Sequence, residues 1–221
     1  MFERSPTLKM RAQGMFACFS RPELKVERVS YVVPTPSAAC GVYSAVLWKP
    51  AIRWHIQKIH ICKPIRFVSF RRNEVNSKAS EPSVKTIAGG GPAPLFYADA
   101  DRAQRNTVAL YDVDYVFEAC FTMTEEAGEA DNVPKFVDMF RRRLAKGQCF
   151  MQPYLGCREF SAAFSPVEEP VRPIGEDRDL GRMLWGITFG PTGNRAHFFE
   201  AKMERGTVCV PECPPEAEAV V

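Results

Sequence analysis

Ala109-Leu110-Tyr111-Asp112-Val113-Asp114-Tyr115-Val116-Phe117-Glu118-Ala119-Cys120-Phe121 is an alternating run, with Ala109, Tyr111, Val113, Tyr115, Phe117, Ala119 and Phe121 at odd positions and Asp112, Asp114 and Glu118 between them. Successive side chains of a β-strand point to opposite faces, so a period of two predicts a long strand with an apolar odd face. On its N-terminal side, Ile52, Trp54 and Ile56 followed by Ile59 and Ile61 predict a strand whose phase changes near Lys58, the mark of a bulge. Another strand is expected after Pro64, from Phe67 to Val75. Earlier still, Thr35-Pro36-Ser37 and the small and apolar residues up to Trp48 read as a helix capped by Thr35, with proline in its first turn and Pro50 ending it.

On the C-terminal side, Asp131-Asn132-Val133-Pro134 opens a second helix. It carries Phe136, Phe140 and Leu144 on one face, Arg141-Arg142-Arg143 and Lys146 on the other, and Gly147 at its end. Met183–Phe189, Ala196–Met203 and Thr207–Val210, separated by Pro191-Thr192-Gly193-Asn194 and Arg205-Gly206, predict a three-stranded antiparallel meander. The polar stretch from Asn76 to Pro94, with Gly89-Gly90-Gly91-Pro92, reads as a flexible loop. Its glycines lack the strand–glycine–Lys–Ser/Thr order of a phosphate-binding loop. The class is α+β. Residues 1–153 fit a ferredoxin-like plan, also that of RNA-recognition motifs, with an inserted β-hairpin. Residues 154–221 are expected to form a small antiparallel β domain, loose from about Pro211.

The chain has 221 residues, 46% apolar and 25% charged, enough for a sizeable core without metal or disulfide support. Its eight cysteines are scattered with no C-x-x-C pair and read as reduced core fillers; Cys209 and Cys213 lack a second pair to complete a zinc site. Neither a metal nor a cofactor is expected. The residues from Met1 show no signal-peptide pattern and no apolar run of about 18 residues spans a bilayer, so the expected location is the cytoplasm. The net charge of +3 conceals a gradient: residues 1–75 hold thirteen Lys/Arg against four Asp/Glu, and the remainder sixteen against twenty-two. Such segregation points to a basic surface for a polyanion, with the acidic remainder facing elsewhere. A merely solvated surface is the alternative.

Cys18-Phe19-Ser20-Arg21-Pro22-Glu23-Leu24-Lys25, Pro34-Thr35-Pro36, Trp48-Lys49-Pro50, Arg71-Arg72-Asn73-Glu74-Val75, Gln104-Arg105-Asn106-Thr107 and Gly156-Cys157-Arg158-Glu159-Phe160 together give the chain a likeness. Nearly throughout, it resembles the Cas-five family of CRISPR-associated proteins in the form of subtype I-C. That resemblance implies a metal-independent endoribonuclease that cuts precursor CRISPR RNA near the base of the repeat hairpin. The product would stay bound by its 5′ handle among the other subunits of a type I-C interference complex. Family members carry tyrosine or histidine before Trp-Lys-Pro, where this chain has Leu47, and Tyr43 lies one helical turn earlier. A Lys-His pair of some members falls at Arg105-Asn106.

The resemblance thus makes Tyr43, Arg105 and Asn106 the candidate catalytic residues, and Arg21, Lys25, Lys49, Arg71, Arg72, Arg141 and Arg142 candidate RNA contacts. The arginines of the second helix are equally readable as a solvated face, and His197 as structural or functional. His55 and His60 read as structural. Two other functions stay open: a non-catalytic subunit that holds the 5′ handle, and a general binder of duplex nucleic acid, DNA included.

Overall fold

A computed structural model describes residues 3–24, 26–77, 81–92, 97–168, 170–190, 193–212 and 217–219. Its elements are β1 (Leu8–Ala17), β2 (Arg28–Val29), α1 (Pro36–Val46), β3 (Ile52–Ile61), β4 (Phe67–Val75), α2 (Glu81–Ala88), β5 (Arg102–Met123), α3 (Val133–Ala145), β6 (Ala163–Ser165), β7 (Arg178–Thr188), β8 (Arg195–Glu204), β9 (Thr207–Cys209) and β10 (Ala217–Ala219).

The strand predicted from Ala109 to Phe121 is the axis of the sheet and runs further, over all of β5. Its C-terminal half lies between β1 and β3, antiparallel to both; its N-terminal half pairs antiparallel with β4 and parallel with β2. The main path is β6-β1-β5-β3-β9-β8-β10, with β7 on β8. The sheet is therefore almost entirely antiparallel. The predicted bulge is present, a register shift between Ile56 and Lys58.

Local chemistry fixes the helix ends as the sequence predicts. The Thr35 hydroxyl accepts the Ala38 N–H at 3.2 Å, and the Asn132 side chain accepts the Lys135 N–H at 2.9 Å, each satisfying a first-turn donor. Gly147, at φ 64°, follows the end of α3 in the left-handed region that glycine adopts freely. The stretch read as a loop contains α2, which overturns that expectation. Pro82 is admissible in a first turn, but Val84 and Ile87 are both about half exposed, so no packed apolar face announces the helix.

Alternation along β5 also breaks where the sequence shows none. Asp112 adopts φ 53°, and the apolar faces exchange there. Beyond it Val113, Tyr115, Phe117 and Phe121 face the main core; before it Leu110 does, whereas Ala109 joins Cys18 and Phe160 in a separate small cluster. Tyr111 is left 40% exposed, against its predicted place in the core.

The C-terminal meander forms as predicted, with β7 beginning five residues earlier than Met183. Through β9 it pairs with β3, Ile59 opposite Val208, and Met183, Leu184, Phe199, Met203 and Val208 belong to the same buried cluster as Leu8, Met10 and Phe117. Beyond β9 the described residues are tied to the fold, against the expectation of an end loose from about Pro211: the Trp185 indole donates to the Pro211 carbonyl at 3.1 Å, Glu212 pairs with Arg4 at 3.0 Å, and β10 pairs with β8, Ala217 opposite His197. Cys213 lies outside the described residues.

Candidate nucleic-acid interface

The β4–β5 ladder brings together four of the residues singled out from the sequence. Arg71 stands opposite Asn106, and Arg72 opposite Arg105. Opposed residues share a face and successive ones alternate, so Ser69, Arg71, Asn73, Arg102, Gln104 and Asn106 form one face, all six exposed, with Val75 and half-buried Val108 at its two ends. Asn106 donates to Glu27 at 3.1 Å. The Arg71 guanidinium has no partner among the described residues. This face is a polar strip with cations and amides, able to hold phosphate oxygens and to hydrogen-bond sugar or base edges.

The opposite face carries an ion network instead. The Glu159 carboxylate binds Arg28 at 2.5 Å and also Arg72, while Glu74 accepts Arg28 at 3.2 Å and Arg72 at 3.3 Å. Burial works against the Glu159 charge, yet the Arg72 and Arg28 cations hold its pKa below the ordinary glutamate value. Arg72 is therefore engaged by protein carboxylates and half-buried, which moves it from the expected RNA contacts to the framework behind them. Arg105 donates to Asn76 at 2.7 Å. The role of Glu159 was not visible in the sequence, because its partners are 131 and 87 residues away.

The charge gradient is likewise resolved differently from the expectation. Part of the acidic remainder does not face elsewhere: Lys9 pairs with Glu118, Arg11 with Asp114, Lys63 and Arg66 with Asp112, and Arg28 and Arg72 with Glu159. The other expected RNA contacts take no part in these pairs among the described residues. Arg141 and Arg142 are exposed on α3. Arg21 is half-buried with its guanidinium 4.6 Å from the centre of the Tyr31 ring, and Lys25 lies outside the described residues.

Tyr43 is not at any surface. It is fully buried, stacked on Phe140 at 5.4 Å, with its hydroxyl 2.8 Å from the Leu8 carbonyl and 2.9 Å from that of Phe117. Burial, with the nearby Glu118 charge, pushes its pKa well above the ordinary tyrosine value. A phenol in this position neither reaches RNA nor releases its proton. The assignment of Tyr43 as the proton-handling group is corrected to a core residue that pins α1 to β1 and β5.

Where α1 ends, Trp48 and Phe150 stand 5.9 Å apart, 53% and 61% exposed. Phe150 is held there by its N–H on the Ala45 carbonyl at 2.7 Å, and Arg143 donates to the Val46 carbonyl at 2.8 Å. Half-buried Lys49 lines an adjoining cleft of about 660 Å³ with Arg53, His55 and Thr122. Trp48 was legible only as part of the Trp-Lys-Pro segment, and Phe150 carried no signal at all.

Each histidine has a hydroxyl partner: His55 with Thr122 at 2.9 Å, His60 with Thr207 at 3.0 Å and His197 with Thr188 at 2.8 Å. His60 also reaches Glu118 at 3.2 Å. Among the described residues no cluster of His, Cys, Asp or Glu has the makings of a metal site, and no helix is long and apolar enough to cross a membrane.

Comparison with known proteins places this arrangement. Residues 7–208 match the family model described as CRISPR-associated protein (Cas_Cas5). The chain is 47% identical over 213 residues to the CRISPR pre-crRNA endoribonuclease Cas5d of Mannheimia succiniciproducens, covering 92% of this chain and 94% of that protein. It is 41% identical over 201 residues to the protein of the same name from Thermus thermophilus, covering 91% and 82%. Among solved structures, a CRISPR-associated protein superposes with a TM-score of 0.70 at 21% identity, over 96% of this chain and 94% of that one. A chain of a CRISPR RNA-guided surveillance complex superposes at 0.50 and 13% identity, over 95% and 90%. An antiparallel sheet built on one long strand, with a basic ladder at its end, here goes with family identity along almost the whole sequence: the chain belongs to the CRISPR-associated Cas5 family.

Proposed function

We propose that this protein is an endoribonuclease that cuts precursor CRISPR RNA at its repeat hairpin and stays on the 5′ handle as a subunit of a type I-C interference complex in the cytoplasm. The observation that carries the reading is the 47% identity, over 94% of its length, to a protein named as a pre-crRNA endoribonuclease. The strand order β6-β1-β5-β3, with α1 and α3 as the two crossovers, supports a ferredoxin-like plan for the N-terminal part, and the β7–β9 meander supports a C-terminal β addition to it.

The chemistry proposed is metal-independent attack of a ribose 2′-hydroxyl on the adjacent phosphate. Its demands are a cation against the charge that builds on the phosphorane and hydrogen bonds that hold the phosphate in line. Those two tasks are assigned to Arg71 and Asn106, which stand opposite one another on the exposed face of the β4–β5 ladder, with Arg105, beside Asn106 in sequence but on the other face, as a further cation. Lys49, Arg21, Arg141 and Arg142 are proposed as contacts to the rest of the RNA backbone. With Tyr43 in the core, rate enhancement is assigned to positioning and charge.

Incubation of the pure protein with its own repeat RNA in EDTA tests this. Cleavage is expected to continue, to stop when the nucleotide 5′ of the cut is 2′-deoxy, and to leave binding of that substrate intact. Metal-dependent cleavage would overturn the mechanism. A second reading, a subunit that binds the handle without cutting, is favoured by the burial of Tyr43, and absence of cleavage with intact hairpin binding would establish it.

A further inference from the structure

Where β1 ends, two thiols are brought together by the backbone. The Cys18 N–H donates to the Leu155 carbonyl at 3.0 Å, and the Cys157 thiol donates to the Cys18 carbonyl at 3.5 Å. Gly156 makes this approach possible: at φ 86°, an added Cβ would stand 2.0 Å from the Cys18 carbonyl oxygen, so no other residue fits. The Ser20 hydroxyl touches both sulfurs, at 3.6 Å from Cys18 and 3.9 Å from Cys157. Cys18 is fully buried and Cys157 half-buried. Arg28, the cation of the Glu159 network, is near enough to Cys157 for its charge to favour the thiolate.

We propose that Cys157 and Cys18 form a peroxide-reactive dithiol, in which Cys157 is the attacking thiolate and Cys18 the resolving thiol. The two are unlike in the way this requires. In the charged state the bond to the Cys18 carbonyl is given up, and the Cys18 thiol as donor to the Cys157 thiolate, then Ser20 and the Arg28 charge, pull the Cys157 pKa down to about 6 against the effect of burial. Cys18 is pushed up by the same pairing and by burial, so it keeps its proton until the partner is oxidised.

In the first step the Cys157 thiolate attacks one oxygen of a hydroperoxide. The O–O bond breaks, a sulfenic acid forms on Cys157, and hydroxide, or the alkoxide of an organic hydroperoxide, leaves. In the second the Cys18 sulfur attacks the sulfenic sulfur, its proton and the sulfenic hydroxyl depart as water, and the disulfide closes. Two electrons pass from the pair of thiols to the peroxide. A thiol reductant restores the starting state. The reaction is independent of RNA cleavage.

Iodoacetamide labelling of the whole protein, read by mass spectrometry against pH, is expected to show Cys157 reacting half-maximally near its pKa of about 6. Exposed Cys149 and Cys209 serve as internal references. After stoichiometric hydrogen peroxide, a non-reducing peptide map of the unmutated protein is expected to contain the Cys18 and Cys157 peptides joined, and dithiothreitol should separate them. In Cys18→Ser, with its fold checked by circular dichroism, Cys157 should instead stop at the sulfenic acid and be trapped by dimedone. Labelling of Cys157 no faster than that of Cys149 below neutral pH, or peroxide oxidation without the cross-link, would overturn the proposal.

Discussion

Tyr43 lies in the last turn of α1 and Leu47 caps that helix, its N–H on the Tyr43 carbonyl at 2.9 Å, and both have no exposed surface. The inference that a tyrosine one turn before Leu47 reaches the same region is therefore geometrically right, yet that region is the core. Spacing tells which residues lie together, not which way their common face points. Replacing Tyr43 by phenylalanine is expected to leave cleavage per folded molecule unchanged. It should lower stability by about 1–2 kcal/mol, because the carbonyls of Leu8 and Phe117 lose a buried donor. Urea unfolding and a single-turnover cleavage assay on the same preparation check both halves.

The histidines give a prediction of their own. Burial, first among the causes, lowers the pKa of both His55 and His60 from 6.5 in spite of the nearby Glu118 carboxylate on His60. The folded protein thus takes up protons at these sites less readily than the unfolded chain. Their contribution to stability is fully present above pH 6.5 and is lost as the pH falls through the lowered values. The urea midpoint is expected to drop between about pH 7.5 and about pH 5.5, and to drop less in the double variant His55→Gln, His60→Gln.

Among elements, those whose signal is local were legible: α1 and α3 from their caps, β3 with its bulge, β4 to the residue, the meander by its turns. What failed is what local pattern does not encode. The helix α2 packs no apolar face and so resembles a loop in composition, and the exchange of faces at Asp112 depends on one positive φ that alternation conceals. The partners of Glu159 are chosen by the ladder, not by spacing. Neutralising that carboxylate, as Glu159→Gln, leaves Arg28 and Arg72 with Glu74 as their one remaining carboxylate partner and so loosens both. Because Glu159 is more than a third exposed, the cost to stability is expected to be about 1 kcal/mol or less. Affinity for hairpin RNA should rise and its salt dependence steepen, whereas Arg71→Ala should weaken binding and flatten the slope. Fluorescence anisotropy across a potassium chloride series distinguishes these outcomes.

For the molecule as a whole, the ion pairs that join the first half to the second set an order in time as the ribosome makes the chain. The carboxylates that neutralise Lys9, Arg11, Lys63 and Arg66, and the Glu159 shared by Arg28 and Arg72, all come at or after Asp112. Until then the emerging polypeptide holds seventeen Lys/Arg against seven Asp/Glu in its first 110 residues, and β1 and β3 wait for the rest of β5 to lie between them. The nascent chain is thus a general polycation before it is a selective protein, and translation of the second half withdraws its cations one pair at a time. A fragment of residues 1–110 is expected to bind unrelated RNA more tightly than the complete chain does at low salt, and to release it steeply as potassium chloride is added. Equal binding of unrelated RNA by fragment and complete protein would show that these pairs do not restrain the arginines.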